Sequence, residues 1–228
     1  DESLVFDDDP EPPADPRHHY DAFVESRLGD GLELGSMTLF RNLERHPGIA
    51  GLFPALREAV SVLANPQVRN VATLGGNLSN AAPSADCAPP LLVLNARLKM
   101  QGLAGVREVS VKEFFLGPGQ TCTEPAEILT GVRVPKPEPG TGTAFVKTAR
   151  VSQDIAIANA AALVIVENGL CLKCRLAVGA VAPIPLRLPK VEALMEGEKI
   201  GPGLLDRVAS MVEQEVSRAR LRFRDGRE

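Results

Sequence analysis

The sequence predicts an α+β protein, and three observations carry that expectation. Phe53, Leu56, Val60 and Leu63 recur at the spacing of one helix face, whereas Ile128, Thr130, Val132 and Val134 alternate with their neighbours as strand residues do. Asn168-Gly169 joins two further alternating runs, and this dipeptide favours a type I′ hairpin because both residues tolerate positive φ. Pro135 to Gly142 holds three prolines and two glycines in eight residues, which marks a boundary between two packed units.

The elements follow in order. Asp1 to Pro16 carries seven acids, four prolines and no base, and residues 1–30 are expected to form a flexible acidic arm. Order is expected from near Asp30, with a strand over Gly31–Gly35 leading into a helix capped by Ser36 or Thr38 and ending before Pro47. A second helix runs from Phe53 to Ala64 and stops at Asn65-Pro66. A long polar loop is expected from Gln67 to Pro90, then a short helix over Leu91–Leu94. Strands are read at Arg97–Met100, Arg107–Val111 and Glu127–Val134, followed by Thr143–Lys147, Ala161–Glu167 and Leu170–Val178. Helices near Val191–Glu196 and Leu204–Arg218 close the chain, the latter with one apolar stripe of Leu204, Leu205, Val208, Met211, Val212 and Val216. The resulting domains are 31–140 and 141–220, with a basic tail over 221–228.

Composition excludes several functions. The 228 residues carry 25 Lys+Arg and 29 Asp+Glu, a formal charge of −4, which lacks the concentrated positive excess a nucleic-acid surface needs. No apolar run approaches the roughly 20 residues of a bilayer crossing, and the acidic start is unlike a secretory signal. A cytoplasmic protein without membrane insertion is expected. The four cysteines are too few and too irregularly spaced for a disulfide scaffold. Cys171 and Cys174 form a C-x-x-C pair, but alternation along a regular strand sends residues three apart to opposite faces, so core packing is expected for Cys174 and no shared metal. His18, His19 and His46 lie in polar stretches and are expected to face solvent.

The most informative segment is Arg69-Asn-Val-Ala-Thr-Leu-Gly-Gly-Asn-Leu78. About two Gly-Gly pairs are expected by chance at this glycine content, so the dipeptide alone decides nothing. In context, Gly75 and Gly76 lack Cβ atoms, which lets main-chain N–H groups approach an anion, with the Thr73 hydroxyl and Asn77 amide as added donors.

This segment, continued by Pro83-Ser-Ala-Asp86, resembles the flavin-binding loop of the molybdenum hydroxylase family, in particular the medium, FAD-binding subunit of the carbon monoxide dehydrogenase and xanthine dehydrogenase type. The resemblance extends from about Gly31 to Val216 through Glu113-Phe-Phe-Leu-Gly-Pro-Gly119, Glu127-Ile-Leu129, Val132-Arg-Val-Pro135, Ala144-Phe-Val-Lys147 and Ala177-Val-Gly-Ala-Val-Ala-Pro183. It implies the second subdomain of a two-subdomain FAD-binding domain, followed by a small antiparallel three-stranded sheet with helices. By the same resemblance Thr73, Leu74, Gly75, Gly76 and Asn77 hold the FAD diphosphate, Asp86 contacts the cofactor further along, Ile128 and Leu129 lie beside the isoalloxazine ring, and Lys147 stands near the flavin. From the residues alone, Asp86 is equally a helix cap, Lys147 an exposed strand-end lysine, and Ile128 and Leu129 plain core residues.

The implied function is electron transfer: an oxidoreductase subunit carrying FAD, docked to an iron–sulfur subunit and a molybdopterin subunit, and passing electrons to NAD or another acceptor. No side chain is assigned as catalytic acid or base, and none as a metal ligand. The family's first glycine-rich loop, Ala-Gly-Gly-Thr, has no counterpart here, so the chain is expected to be a fragment, the product of a miscalled reading frame or a degenerate paralogue. Two alternatives remain at this point: a paralogue that docks its partner subunits without holding FAD, and a different flavin oxidoreductase acting alone.

Overall fold

In the computed structural model the described residues are 24–25, 31–151 and 153–224. The expected acidic arm falls almost wholly outside them. Within residues 1–30, Val24–Glu25 (β1) pairs antiparallel with Gly31–Gly35 (β2), so paired backbone begins before Asp30.

Beyond β2 the chain makes three helices, Phe40–Arg45 (α1), Pro47–Leu52 (α2) and Pro54–Ser61 (α3). Neither Ser36 nor Thr38 caps α1, whose N-cap position is Leu39 with no side-chain bond. Ser36 and Thr38 instead lend their carbonyls to Gly75 and Leu74, which explains why local cap preference was overridden. His46 is partly buried, and its Nδ1 accepts from Gly48 N as the cap of α2.

Half of the expected long loop over Gln67–Pro90 is helical, through Pro66–Arg69 (α4), Leu74–Ser79 (α5) and the start of Ala88–Val93 (α6), the helix expected over Leu91–Leu94. α4 and α5 carry too little periodicity to be read from sequence, while Asn65 and Thr73 supply the caps that start them.

Arg97–Gly102 (β3) and Gly105–Ser110 (β4) form a hairpin, and Val111–Phe114 (α7) leads to a small hairpin of Phe115–Gly117 (β5) and Gln120–Thr121 (β6). Ile128–Pro135 (β7) then slots between β2 and β3, giving an antiparallel sheet ordered β1-β2-β7-β3-β4.

Thr141–Thr148 (β8), Ala158–Glu167 (β9), Leu170–Gly179 (β10) and Leu186–Arg187 (β11) build a second antiparallel sheet. It has four strands where three were expected, because the two-residue β11 is too short to signal itself. The hairpin at Asn168-Gly169 has φ of 51° and 78°, the left-handed pair a type I′ turn needs. Pro189–Met195 (α8) and Pro202–Arg224 (α9) finish the chain, so the basic residues from 221 to 224 belong to α9.

One hydrophobic core runs beneath α1, α3, α5 and α6, the first sheet, and the inner face of the second sheet through Phe145, Ala161, Leu163 and Ala177. The outer face of the second sheet packs on α8 and α9, where Val208, Met211, Val212 and Val216 supply the stripe; Leu205 stays half exposed. Polar contacts stitch the sheet to the helices: Phe145 N donates to Glu58 Oε2 at 2.7 Å, and Arg175 Nη1 donates to Val93 O at 3.0 Å.

The C-x-x-C pair departs from expectation. A β-bulge between Cys171 and Lys173 inserts one residue, so Cys171 and Cys174 both turn into one small core with Met195. Cys174 Sγ lies 3.4 Å from Met195 Sδ, and burial pushes the Cys174 thiol up to about 12 and the Cys171 thiol upward as well.

Candidate functional site

Ala72–Gly75 runs alongside Ser36–Leu39 at the start of α5, pinned by an isolated bridge between Leu39 and Thr73 and by Phe40 N donating to Ala72 O. The expected bare amides are occupied. Leu74 N donates to Thr38 O at 2.9 Å, Gly75 N to Ser36 O at 2.7 Å, Gly76 N to Thr73 Oγ1 at 3.0 Å, and Asn77 N to Thr73 O at 3.1 Å. A main-chain cradle for two phosphoryl groups is therefore not formed here.

The two glycines have different reasons. A Cβ on Gly75 would stand 2.6 Å from Ser36 Cβ and 2.7 Å from its carbonyl oxygen, so the Ser36–Gly75 approach demands glycine. A Cβ on Gly76 would meet only Thr73 Oγ1 at 3.0 Å, and Gly76 is exposed. Its surface stays open beside the Thr73 hydroxyl.

What remains for a ligand is side-chain chemistry. Thr73 Oγ1 accepts from Gly76 N and keeps its own proton to donate. Asn77 Oδ1 is buried without a partner, a costly state that marks an acceptor still to be satisfied. A phosphate offers acceptors, whereas the ribityl and ribose hydroxyls of FAD offer donors. These side chains fit FAD: Asn77 suits a hydroxyl of the dinucleotide, and Thr73 suits an acceptor such as a phosphate oxygen.

Asp86 and Lys147 meet each other. Lys147 Nζ lies 2.7 Å from Asp86 Oδ2, with side chains only 7% and 6% exposed, and Asn159 Nδ2 donates to Asp86 Oδ1 at 2.8 Å. Asp86 thus caps no helix: the N-cap of α6 is Cys87, with no side-chain bond. Lys147 is not the exposed strand-end residue that local sequence favoured. Asn159, opposite Lys147 on β9, was missed because nothing local marks it; the β8–β9 register brings it there. Its Oδ1 is a second buried orphan, crowding Gly179 so closely that a Cβ there would stand 2.3 Å away.

Ile128 and Leu129, as neighbours on β7, face opposite ways. Leu129 is core, while Ile128 is 64% exposed and offers an apolar surface. Beside them Arg107 Nε and Nη2 each donate to Glu127 at 2.7 Å, and this fork holds the Glu127 carboxyl down at about 2. Arg69, the first residue of the quoted motif, is buried and donates to Leu63 O and Ala64 O in the turn that follows α3. Among the described residues no cluster of three or more His, Cys, Asp or Glu is placed to hold a metal, and no helix is long and apolar enough to cross a membrane.

Two antiparallel sheets, a Thr-capped glycine segment and a polar hub that ties the second sheet to the segment before α6 define an α+β chain, and comparison with known proteins makes its class specific. Residues 22–137 match the family described as the FAD binding domain in molybdopterin dehydrogenase, and residues 143–223 match the CO dehydrogenase flavoprotein C-terminal domain. The chain belongs to this family of FAD-binding subunits. It is 37% identical over 188 residues to the xanthine dehydrogenase FAD-binding subunit of Escherichia coli O157:H7, covering 82% of this chain and 64% of that protein. It is 30% identical to the carbon monoxide dehydrogenase medium chain of Afipia carboxidovorans, covering 81% and 64%. It thus spans just under two thirds of the length of both relatives. Among solved structures, carbon monoxide dehydrogenase from Hydrogenophaga pseudoflava superposes with a TM-score of 0.81 at 27% identity, over 88% of this chain and 75% of that one. Quinoline 2-oxidoreductase from Pseudomonas putida 86 gives 0.79 at 26% identity, over 87% and 74%.

Proposed function

We propose that this chain is the FAD-binding, electron-transfer subunit of a molybdenum-containing hydroxylase, working beside an iron–sulfur subunit and a molybdopterin subunit in the cytoplasm. The observation that carries this reading is the tandem match: an FAD-binding domain and the flavoprotein C-terminal domain follow each other in one chain. When bound, FAD supplies the redox chemistry, accepting electrons and releasing them to NAD or another acceptor.

The chain's own residues bind and orient. Thr73 presents a hydroxyl beside the open face of Gly76, Asn77 keeps a buried amide oxygen without a partner next to it, Leu74 and Gly75 fix that segment against Ser36, and Ile128 offers apolar surface. Asp86, Lys147 and Asn159 lock the second sheet to the segment that follows the turn. No proton transfer by a side chain is assigned.

One observation favours a second reading, that the chain docks partner subunits without FAD: the internal occupation of the Leu74, Gly75, Gly76 and Asn77 amides. Reconstitution of the purified chain with FAD separates the two. Flavin absorbance that survives gel filtration at near one equivalent supports the first reading. A chain that emerges without flavin, yet pulls down iron- and molybdenum-containing partners from its native source, supports the second and overturns the first.

A further inference from the structure

A cleft of about 680 Å3, within the range of small-molecule sites, opens between β5, the segment around β11 and the last turns of α9. None of the residues assigned above to FAD lines it. Its walls are apolar, formed by Leu116, Ile184, Leu188 and Phe223, of which Leu116 and Phe223 are left exposed. Its rim is cationic. Arg218 and Arg222 stand four residues apart on α9 and so share a face, and Lys190 enters from the first turn of α8.

Of the two carboxylates nearby, one is paired with a cation, while Glu215, itself in the lining, meets only neutral main-chain amides. Glu192 is held by Arg187 through bonds of 2.6 and 2.7 Å, and Glu215 accepts from the main-chain amides of Lys190 and Val191 at 3.4 Å. Among the described residues Lys190, Arg218 and Arg222 pair with no carboxylate. Three cations against the single carboxylate of Glu215 leave a positive surplus around an apolar wall, which suits an anion carried on a flat apolar body, and paired guanidinium forks match the geometry of phosphate oxygens.

We propose that this cleft binds an aromatic phosphate ester of mononucleotide size, with the phosphate on Arg218, Arg222 and Lys190 and the base against Leu116 and Phe223. The site goes beyond the flavin reading and shares no residue with it, so either stands if the other fails.

Calorimetric titration of the full chain with AMP, adenosine and inorganic phosphate tests it. AMP is expected to bind at least tenfold more tightly than either fragment, with affinity that falls as salt rises and that saturating FAD does not displace. Arg218→Glu with Arg222→Glu, on an exposed helix face, is expected to lower AMP affinity at least tenfold while far-ultraviolet circular dichroism is unchanged. Absence of AMP binding at millimolar concentration, displacement of AMP by FAD, or equal binding by the charge-reversed variant overturns the proposal. So does a concentration-dependent dimer abolished by the same substitutions, which makes a second copy the occupant. Should the variant misfold, salt dependence and FAD competition on the unmodified chain decide alone.

Discussion

The buried pair of Asp86 and Lys147 carries more of the structure than any exposed contact, because each charge has lost its water and depends on the other. Removing one partner leaves the other unpaired, and Lys147→Ala is expected to destabilise the chain by about 3–5 kcal/mol in urea unfolding. The double variant Asp86→Leu, Lys147→Met is expected to lose much less, since apolar replacements leave no stranded charge. Gly75 and Gly76 give a second contrast at the same scale. Gly75→Ala forces a methyl against Ser36 and is expected to cost about 1–3 kcal/mol, whereas Gly76→Ala faces one hydroxyl and is expected to be nearly neutral by thermal melting. The motif containing both glycines was legible in the sequence, but the physical role of Gly75 was not. Its partner, Ser36, lies 39 positions upstream and meets it only through the tertiary fold.

At the scale of elements, strands longer than five residues were readable because alternation repeats enough times to stand out. Two-residue strands and the short helices α2, α4, α5 and α7 were not, and a single inserted residue defeated the reasoning about Cys171 and Cys174. The β10 bulge shifts the register by one, so two thiols predicted to diverge share a core with Met195. Cys87, Cys171 and Cys174 are buried, and Cys122 is only partly so. One thiol per chain is therefore expected to react rapidly with Ellman's reagent in native buffer, and four in denaturant. The Arg107–Glu127 fork ties β4 to the entry of β7 and makes a pH prediction. Glu127 is held at about 2, below its ordinary 4.5, so the bond stabilises the fold above pH 4.5 and that contribution is lost as pH falls towards 2. Glu127→Gln is expected to flatten this part of the pH–stability curve, followed by urea midpoints between pH 2 and 6.

For the whole molecule, both sheets close over one core, and the family matches on either side of residues 138–142 fall on chain segments packed together by Phe145, Glu58, Arg175 and the Asp86–Lys147–Asn159 hub. The site was only partly legible at this scale. The sequence pointed to Thr73 and Asn77, but the hub needs β8 and β9 in register, and the occupied amides need the Ser36–Leu39 segment laid beside α5. What these residues leave for a cofactor is the Thr73 hydroxyl proton and the stranded Asn77 carbonyl. Quenching of FAD fluorescence on titration with the purified chain tests that most directly, run beside Asn77→Leu, which keeps the volume and removes the amide. Saturable binding by the parent chain, weakened at least tenfold in the variant at unchanged melting temperature, is the predicted result. Equal quenching by both chains, or none by the parent, contradicts it.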